Sequence, residues 1–393
     1  MKFQDTLLLA ASHAAFVQAG SRAWEASLSA HAANDSQTLF PRAAHSLSDT
    51  GFYGSNSSAR AGYLGKRWIG NPNEPTKDFV YKLWDKANIP ACFEDKSHQV
   101  KGASKTTEEI LSDDLTAAKK LWEAVGVVNK DGYFNFEFKD KDWCKSARRN
   151  DYLLISYAGE GVRKMATSPG QAIRTSEEPR PNEAGSSMVL SNLLTMGMKN
   201  VVSNYAHEMG HAWGLFHEHQ NPTFWSADYS SVSRDKVFFG EGNWNCANLL
   251  DYEDAVARVE ANTQIEAWER AKHKEQLCTK RSIALDYDFS GHDYLPIEHA
   301  TWDTGRKTPD YSSIMMYPSD CGAKPGTKIL LQEKGGKDID PVFKPTKEDA
   351  KGLKTLYNAP KTGFKKLLGA VGSAVKDTFD KDRKKDPDST CKK

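Results

Sequence analysis

Five residues of one short stretch have the types and the spacing to do chemistry. Within NVVSNYAHEMGHAWGLFHEH, residues 200 to 219, His207, Glu208, His211, Gly214 and His217 stand in the pattern HExxHxxGxxH. On an α-helix of 3.6 residues per turn, His207 and His211 lie on one face about 6 Å apart along the axis, close enough to share one metal ion. Glu208 flanks them, where its carboxylate can touch a water on that metal. Gly214 can adopt the left-handed conformation that ends a helix, so the chain turns back and delivers His217 as a third ligand. Three imidazoles with one open position make a catalytic rather than a structural site, and a single Zn2+ is the expected cofactor. Histidine is 11 and glycine 28 of the 393 residues. Chance agreement at all five positions is therefore on the order of 10⁻⁴, which sets aside a helix that merely carries polar core histidines.

The elements that must position these groups are legible around them. Val202, Tyr205, Met209 and Trp213 recur at helical spacing and form the core face of the histidine helix. His219, past the turn, has no place in the ligand geometry and reads as a bystander. Met188-Val189-Leu190 is a short strand just before the helix, either a sheet edge that can pair an extended peptide or a plain core strand. Upstream, Trp84 to Phe93 reads as a short strand interrupted by Pro90. Thr106 and Glu109 form a capping box for a helix whose stripe is Leu111, Leu115, Ala118, Trp122 and Val125, ended by Gly126. Tyr133 to Phe138 and Tyr152 to Tyr157 read as strands, and Pro169 to Ala184 as loop. Downstream, a solvated helix spans about Asp251 to Leu277, stapled by Cys246 and Cys278. Thr346 and Asp349 cap a last helix that ends at Tyr357.

Composition bounds the setting. Lys+Arg 53 against Asp+Glu 52 leaves a net charge of +1, so nothing global draws the chain to nucleic acid. Residues 1–19 carry an early lysine, an apolar run and a terminal small residue, and read as a secretory signal. Six cysteines (Cys92, Cys144, Cys246, Cys278, Cys321 and Cys391) suit an oxidising compartment, and none forms a CxxC. Glycosylation acceptors stand at Asn34 and Asn56. Residues 20–67 are rich in Ser, Ala, Asn and Gly and end at Lys66-Arg67, so they read as a loose leader or a propeptide. That leader has no cysteine, which leaves an aspartate such as Asp35 or Asp49 to block a zinc. A catalytic domain over 68–358 follows. In the tail, 359–393, an apolar stripe of Phe364, Leu367, Leu368, Val371, Val375 and Phe379 beside Lys365, Lys366 and Lys376 leaves membrane contact as the lesser reading, with a tail that docks on the protein's own domain or stays loose ahead of it.

HEMGHAWGLFHE together with Ser313-Ile314-Met315-Met316-Tyr317 resembles the metzincin metallopeptidases, and among them the astacin family, which carries Glu218 directly after the third histidine. The resemblance implies an α+β fold of two lobes. A mixed twisted sheet and the active-site helix form the first lobe, and the second is irregular with a closing helix. It also implies that Met315 is a hydrophobic floor under the histidines, that Tyr317 is a phenol able to reach the metal and steady an anionic intermediate, and that Glu218 helps to bind a processed N-terminus. The implied activity is that of a secreted zinc endopeptidase acting on proteins or peptides as a monomer, with Glu208 as general base. A non-catalytic secreted binding protein on the same fold is the alternative, and the absence of a GxSxG elbow excludes a serine hydrolase. The chain departs from the family in three ways. The interval from His217 to Met315 is long, as if the Cys246–Cys278 segment were inserted; the family's two disulfides do not map; and the leader lacks the usual aspartate motif.

Overall fold

A computed structural model describes residues 79–162, 165–174, 185–233, 236–298 and 307–357. The expected signal, the leader with Lys66-Arg67, Asn34, Asn56, Asp35 and Asp49, the tail and Cys391 all lie outside the described residues.

Among the described residues, those up to Ala212 form nine strands and three α-helices. These are β1 (Phe79–Lys82), β2 (Ile89–Phe93), β3 (Ser97–Val100), β4 (Ala103–Thr106), α1 (Thr107–Ala124), β5 (Phe136–Phe138), α2 (Lys141–Ser146), β6 (Leu153–Tyr157), β7 (Ala166–Thr167), β8 (Gln171–Arg174), β9 (Ser187–Leu190) and α3 (Val201–Ala212). The main sheet has the order β5-β2-β6-β9-β7. β5, β2, β6 and β9 are parallel, and only β7 runs against its neighbour, pairing Ala166 with Val189 and Thr167 with Met188. The fold is thus α+β with a mixed, mostly parallel sheet. β9 is neither free edge nor centre: two residues of β7 close its outer side.

Each element has a local cause. The capping box of α1 forms in both directions between Thr106 and Glu109, and Leu111, Leu115, Ala118, Leu121 and Trp122 are buried along one face. Trp122 Nε1 donates to Ala206 O at 2.8 Å, which ties α1 to α3 through an indole whose body is in the core. Trp84 to Phe93 is not one strand. Asp85–Ala87 makes a single 3-10 turn with Lys86 and Ala87 at φ 49° and 59°, and β2 starts after it. Pro90 does not interrupt β2. Ile89 N donates to Asn135 O on the β5 side, so the N–H that proline lacks would face β6, whose pairing begins one residue later at Ala91 and Leu153. The expected loop at 169–184 contains β8, which pairs antiparallel with β1; polar residues such as Gln171 and Arg174 hid it from a pattern search.

From Leu215 onward the described residues form short helices and turns: α4 (Tyr252–Glu260), α5 (Ala267–Gln276), α6 (Arg281–Asp286) and α7 (Lys347–Leu356), with isolated bridges such as Trp244 to Leu330. Aromatic packing supplies the core here. Trp225 lies 5.5 Å from Phe239 and 5.8 Å from Trp244, and Trp244 lies 5.2 Å from Tyr294. The helix expected over 251–277 is broken into α4 and α5. Asn262 Oδ1 accepts from Gln264 N at 3.0 Å, a local turn that competes with the helix, and Arg270 Nη1 donates to Asn262 O at 3.1 Å.

Cys246 and Cys278 are bridged across 32 residues, as their bracketing position suggests. Cys92 is bridged to Cys144, joining β2 to α2, and Cys321 is buried outside both bridges. Replacing Cys246 and Cys278 together by serine is expected to cost about 4 kcal/mol by loop-entropy reasoning, a fall in melting temperature on the order of 10 °C. Thermal unfolding checks this, and an unchanged midpoint would show that the segment is held by packing alone. No helix of the described residues is long and apolar enough to cross a membrane.

Candidate metal centre

α3 begins at Asn200, whose Oδ1 accepts from Ser203 N at 2.9 Å. Every residue of α3 is buried. The helix ends in a Schellman motif: Leu215 N donates to Gly210 O at 3.0 Å and Gly214 N to His211 O at 2.6 Å. Gly214 sits at φ +95°, a left-handed conformation that calls for glycine, and it packs against Leu83. The turn places His217 over the helix face that carries His207 and His211.

The three Nε2 atoms converge. His207 to His211 is 3.0 Å, His211 to His217 is 3.1 Å and His207 to His217 is 3.2 Å. Each Nδ1 faces an acceptor: Ile314 O at 2.6 Å from His207, Leu215 O at 2.6 Å from His211, and Gln220 Oε1 at 3.0 Å from His217. Carbonyl oxygens only accept, so each imidazole carries its proton on Nδ1 and turns the Nε2 lone pair inward. Three lone pairs at this separation repel one another unless a cation lies among them. Tetrahedral zinc with Zn–N of about 2.0–2.1 Å sets neighbouring nitrogens about 3.3 Å apart, so the donor set fits that ion. Among the described residues these three histidines form the one group able to hold a metal.

The turn at Asp310 to Tyr317 closes the site from below. Met315 is fully buried, and a Cβ on Gly210 would lie 2.5 Å from its sulfur, so glycine lets the thioether press against α3 between the two helical histidines. Tyr317 is also fully buried, its ring 4.2 Å from that of His217 and 6.0 Å from that of His207. Glu218 is buried; its N donates to Met315 O at 2.9 Å, and its Oε1 accepts from Asp310 N at 2.6 Å. It thereby ties the histidine turn to the methionine turn. Glu208, fully buried on α3, directly follows His207. The structure thus brings His207, His211, His217, Glu218, Met315 and Tyr317 together in one buried cluster, with Glu208 on the same helix and Gly214 at its end.

Three further residues belong to it that sequence reasoning set aside or left unassigned. His219 is no bystander. It is fully buried, and its ring stacks on His217 at 5.1 Å and 11° and lies 4.8 Å from Tyr317. Gln220 supplies the acceptor for His217. Asp349, expected only as a helix cap, accepts from Thr346 N at 2.7 Å and also reaches into the methionine turn, taking hydrogen bonds from Ser313 Oγ at 2.6 Å and Ile314 N at 3.3 Å. Since Ile314 O orients His207, a carboxylate on α7 helps to place a histidine on α3. Burial pushes the Asp349 carboxyl up, against the pull of the Ser313, Thr346 and Ile314 donors. A capping-box aspartate was the only signal for it in the sequence.

No protein-family model matches the chain, and no curated protein does. Among solved structures the chain is similar to myroilysin at 13% identity, with a TM-score of 0.36 over 72% of this chain and 97% of that one. A second structure of myroilysin gives 14% identity and a TM-score of 0.33 over 76% and 93%. High choriolytic enzyme 1 of the medaka fish Oryzias latipes, a hatching enzyme zinc-protease, gives 14% identity and a TM-score of 0.34 over 71% of this chain and 94% of that one.

Proposed function

We propose that the chain is a zinc-dependent endopeptidase that hydrolyses peptide bonds in proteins. The observation that carries this reading is the convergence of three Nε2 lone pairs within 3.2 Å, each imidazole oriented by an acceptor on its far nitrogen, with a buried carboxylate, Glu208, adjoining the first of them. His207, His211 and His217 would hold one zinc ion. That ion supplies Lewis acidity, polarising a peptide carbonyl and lowering the pKa of water. Glu208 takes the proton of the attacking water and returns it to the leaving amine nitrogen. The Tyr317 hydroxyl donates to the oxyanion that develops on the former carbonyl. Met315 and Glu218 keep the floor and the histidine turn in register.

The same reading takes 68–358 as the catalytic domain of a secreted protein, with a signal at 1–19, a leader at 20–67 and a tail at 359–393. The two disulfides favour an oxidising compartment. Casein hydrolysis by the secreted chain tests the function. Turnover is expected to stop when a zinc chelator strips the metal and to return when zinc is restored. A chain that holds zinc yet leaves casein and a peptide library intact would instead be a binding protein built on this site.

A further inference from the structure

We propose that Gln220 is a positioning residue of the metal centre: its side-chain amide, oriented by the main-chain carbonyl of Asp293, holds His217 in the tautomer that turns Nε2 to the metal. The inference rests on the zinc reading above and adds to it the element that fixes the third ligand. Of the three imidazoles, His207 and His211 are oriented by the main-chain carbonyls of Ile314 and Leu215. His217 depends on a side chain. It is therefore the ligand whose orienting acceptor a single substitution removes directly.

An amide can present either its oxygen or its NH2 to a neighbour, and the two choices have opposite consequences here. The far side of Gln220 decides between them. Asp293 O can only accept, so the atom 3.0 Å from it is the NH2. The oxygen is then left facing His217, 3.0 Å from Nδ1 and 3.4 Å from its backbone N. An oxygen in that place requires the proton on Nδ1. The reversed amide would favour the other tautomer and put a proton on Nε2, 3.1 to 3.2 Å from the other two ligand atoms, where a metal has to bind.

The orienting carbonyl comes from outside the histidine motif. Asp293 ends the turn Ser290–Asp293, which follows α6 in the long interval between His217 and Met315. Its carbonyl accepts from His219 Nε2 as well, at 3.0 Å, so one oxygen holds both side chains that touch His217 from this side. Gln220 is 4% exposed, which keeps bulk water from replacing the amide. Through Asp293 O, the interval that looks like an insertion reaches the third ligand.

The test uses the full chain freed of metal and titrated with zinc against a chromophoric chelator, and with cobalt(II) to read ligand geometry. Gln220→Leu, close in volume but without an acceptor, is expected to weaken zinc binding roughly 10- to 100-fold and to change the cobalt absorption bands, while the metal-free chain keeps the parent's circular dichroism and loses some melting temperature from the donor stranded on His217. Gln220→Glu keeps an oxygen opposite Nδ1 but gives up the donor to Asp293 O, so it is expected to bind zinc more tightly than Gln220→Leu and less tightly than the parent. A leucine variant that binds zinc as tightly as the parent, with the parent's cobalt spectrum, would overturn the proposal. If circular dichroism shows that the leucine variant does not fold, Gln220→Ala decides, and zinc affinity and a cobalt spectrum equal to the parent's in that variant would overturn it too. A parent chain that binds no zinc would instead overturn the zinc reading itself.

Discussion

Glu208→Ala is expected to leave zinc content at the level of the parent and to lower kcat for casein or peptide hydrolysis by about 10²–10⁴-fold, the usual contribution of a positioned general base. The reason is the division of labour along α3. His207 and His211 are four residues apart on one face, and Glu208 is rotated by about 100° from His207, so the carboxylate borders the ligand pair without belonging to it. Glu208→Gln is expected to behave alike, because an amide of the same shape cannot take a proton from water. His211→Ala should do the opposite, losing metal first and activity as a consequence. Metal analysis and steady-state kinetics on the same samples separate these outcomes. Substantial hydrolysis by the alanine variant at full metal occupancy would remove Glu208 from its role.

The second large effect is expected far from the histidines in sequence. Asp349→Ala removes the acceptor of Ser313 Oγ, Ile314 N and Thr346 N in a fully buried position. Stranding buried donors of this kind is expected to cost about 3–5 kcal/mol. Because Ile314 O orients His207, zinc affinity should fall with stability, roughly tenfold. Chelator competition and thermal unfolding measure the two, and a variant unchanged in both would show that the methionine turn holds its shape without α7.

Asp349→Asn adds a check on sign. Burial holds the Asp349 carboxyl above its ordinary range, so the folded chain binds that proton more tightly than the unfolded one. Stability from this group is present below the unfolded pKa and is lost as pH rises through the folded pKa. In metal-free protein, the melting-temperature gap between the parent and Asp349→Asn should therefore be wider near pH 4 than at neutral pH. A gap that widens with rising pH would mean that the hydrogen bonds to Asp349 outweigh burial and keep the carboxylate ionised.

How much of this was legible in the chain follows from the range of each interaction. The histidine helix, its buried face, the glycine turn and the capping boxes at Thr106 and Thr346 are short-range patterns, set by helical periodicity and by side chains reaching three or four residues. Local chemistry of that kind survives without any knowledge of the fold. The break between α4 and α5 was missed because an Asn262 turn overrides an otherwise helical composition. β8 was missed because its four residues, Gln171 to Arg174, are too few and too polar at the ends to show an apolar alternation. Met315 and Tyr317 carried no local signal at all; they were legible only through resemblance to a motif.

By itself, then, the sequence determined the donors, their spacing and the base beside them: HExxHxxGxxH on a helix admits one metal and one face. The tertiary structure alone decided what makes those donors usable. Ile314 O, Leu215 O and Gln220 Oε1 set the tautomers, Asp349 steadies the first of these from α7, Asp293 O orients the last, and Gly210 admits Met315 against the helix. Apart from Gly210, Leu215 and Gln220, these partners lie in other elements of the chain, and the hydrogen bonds and close contacts that join them to the site exist only once packing has brought those elements together.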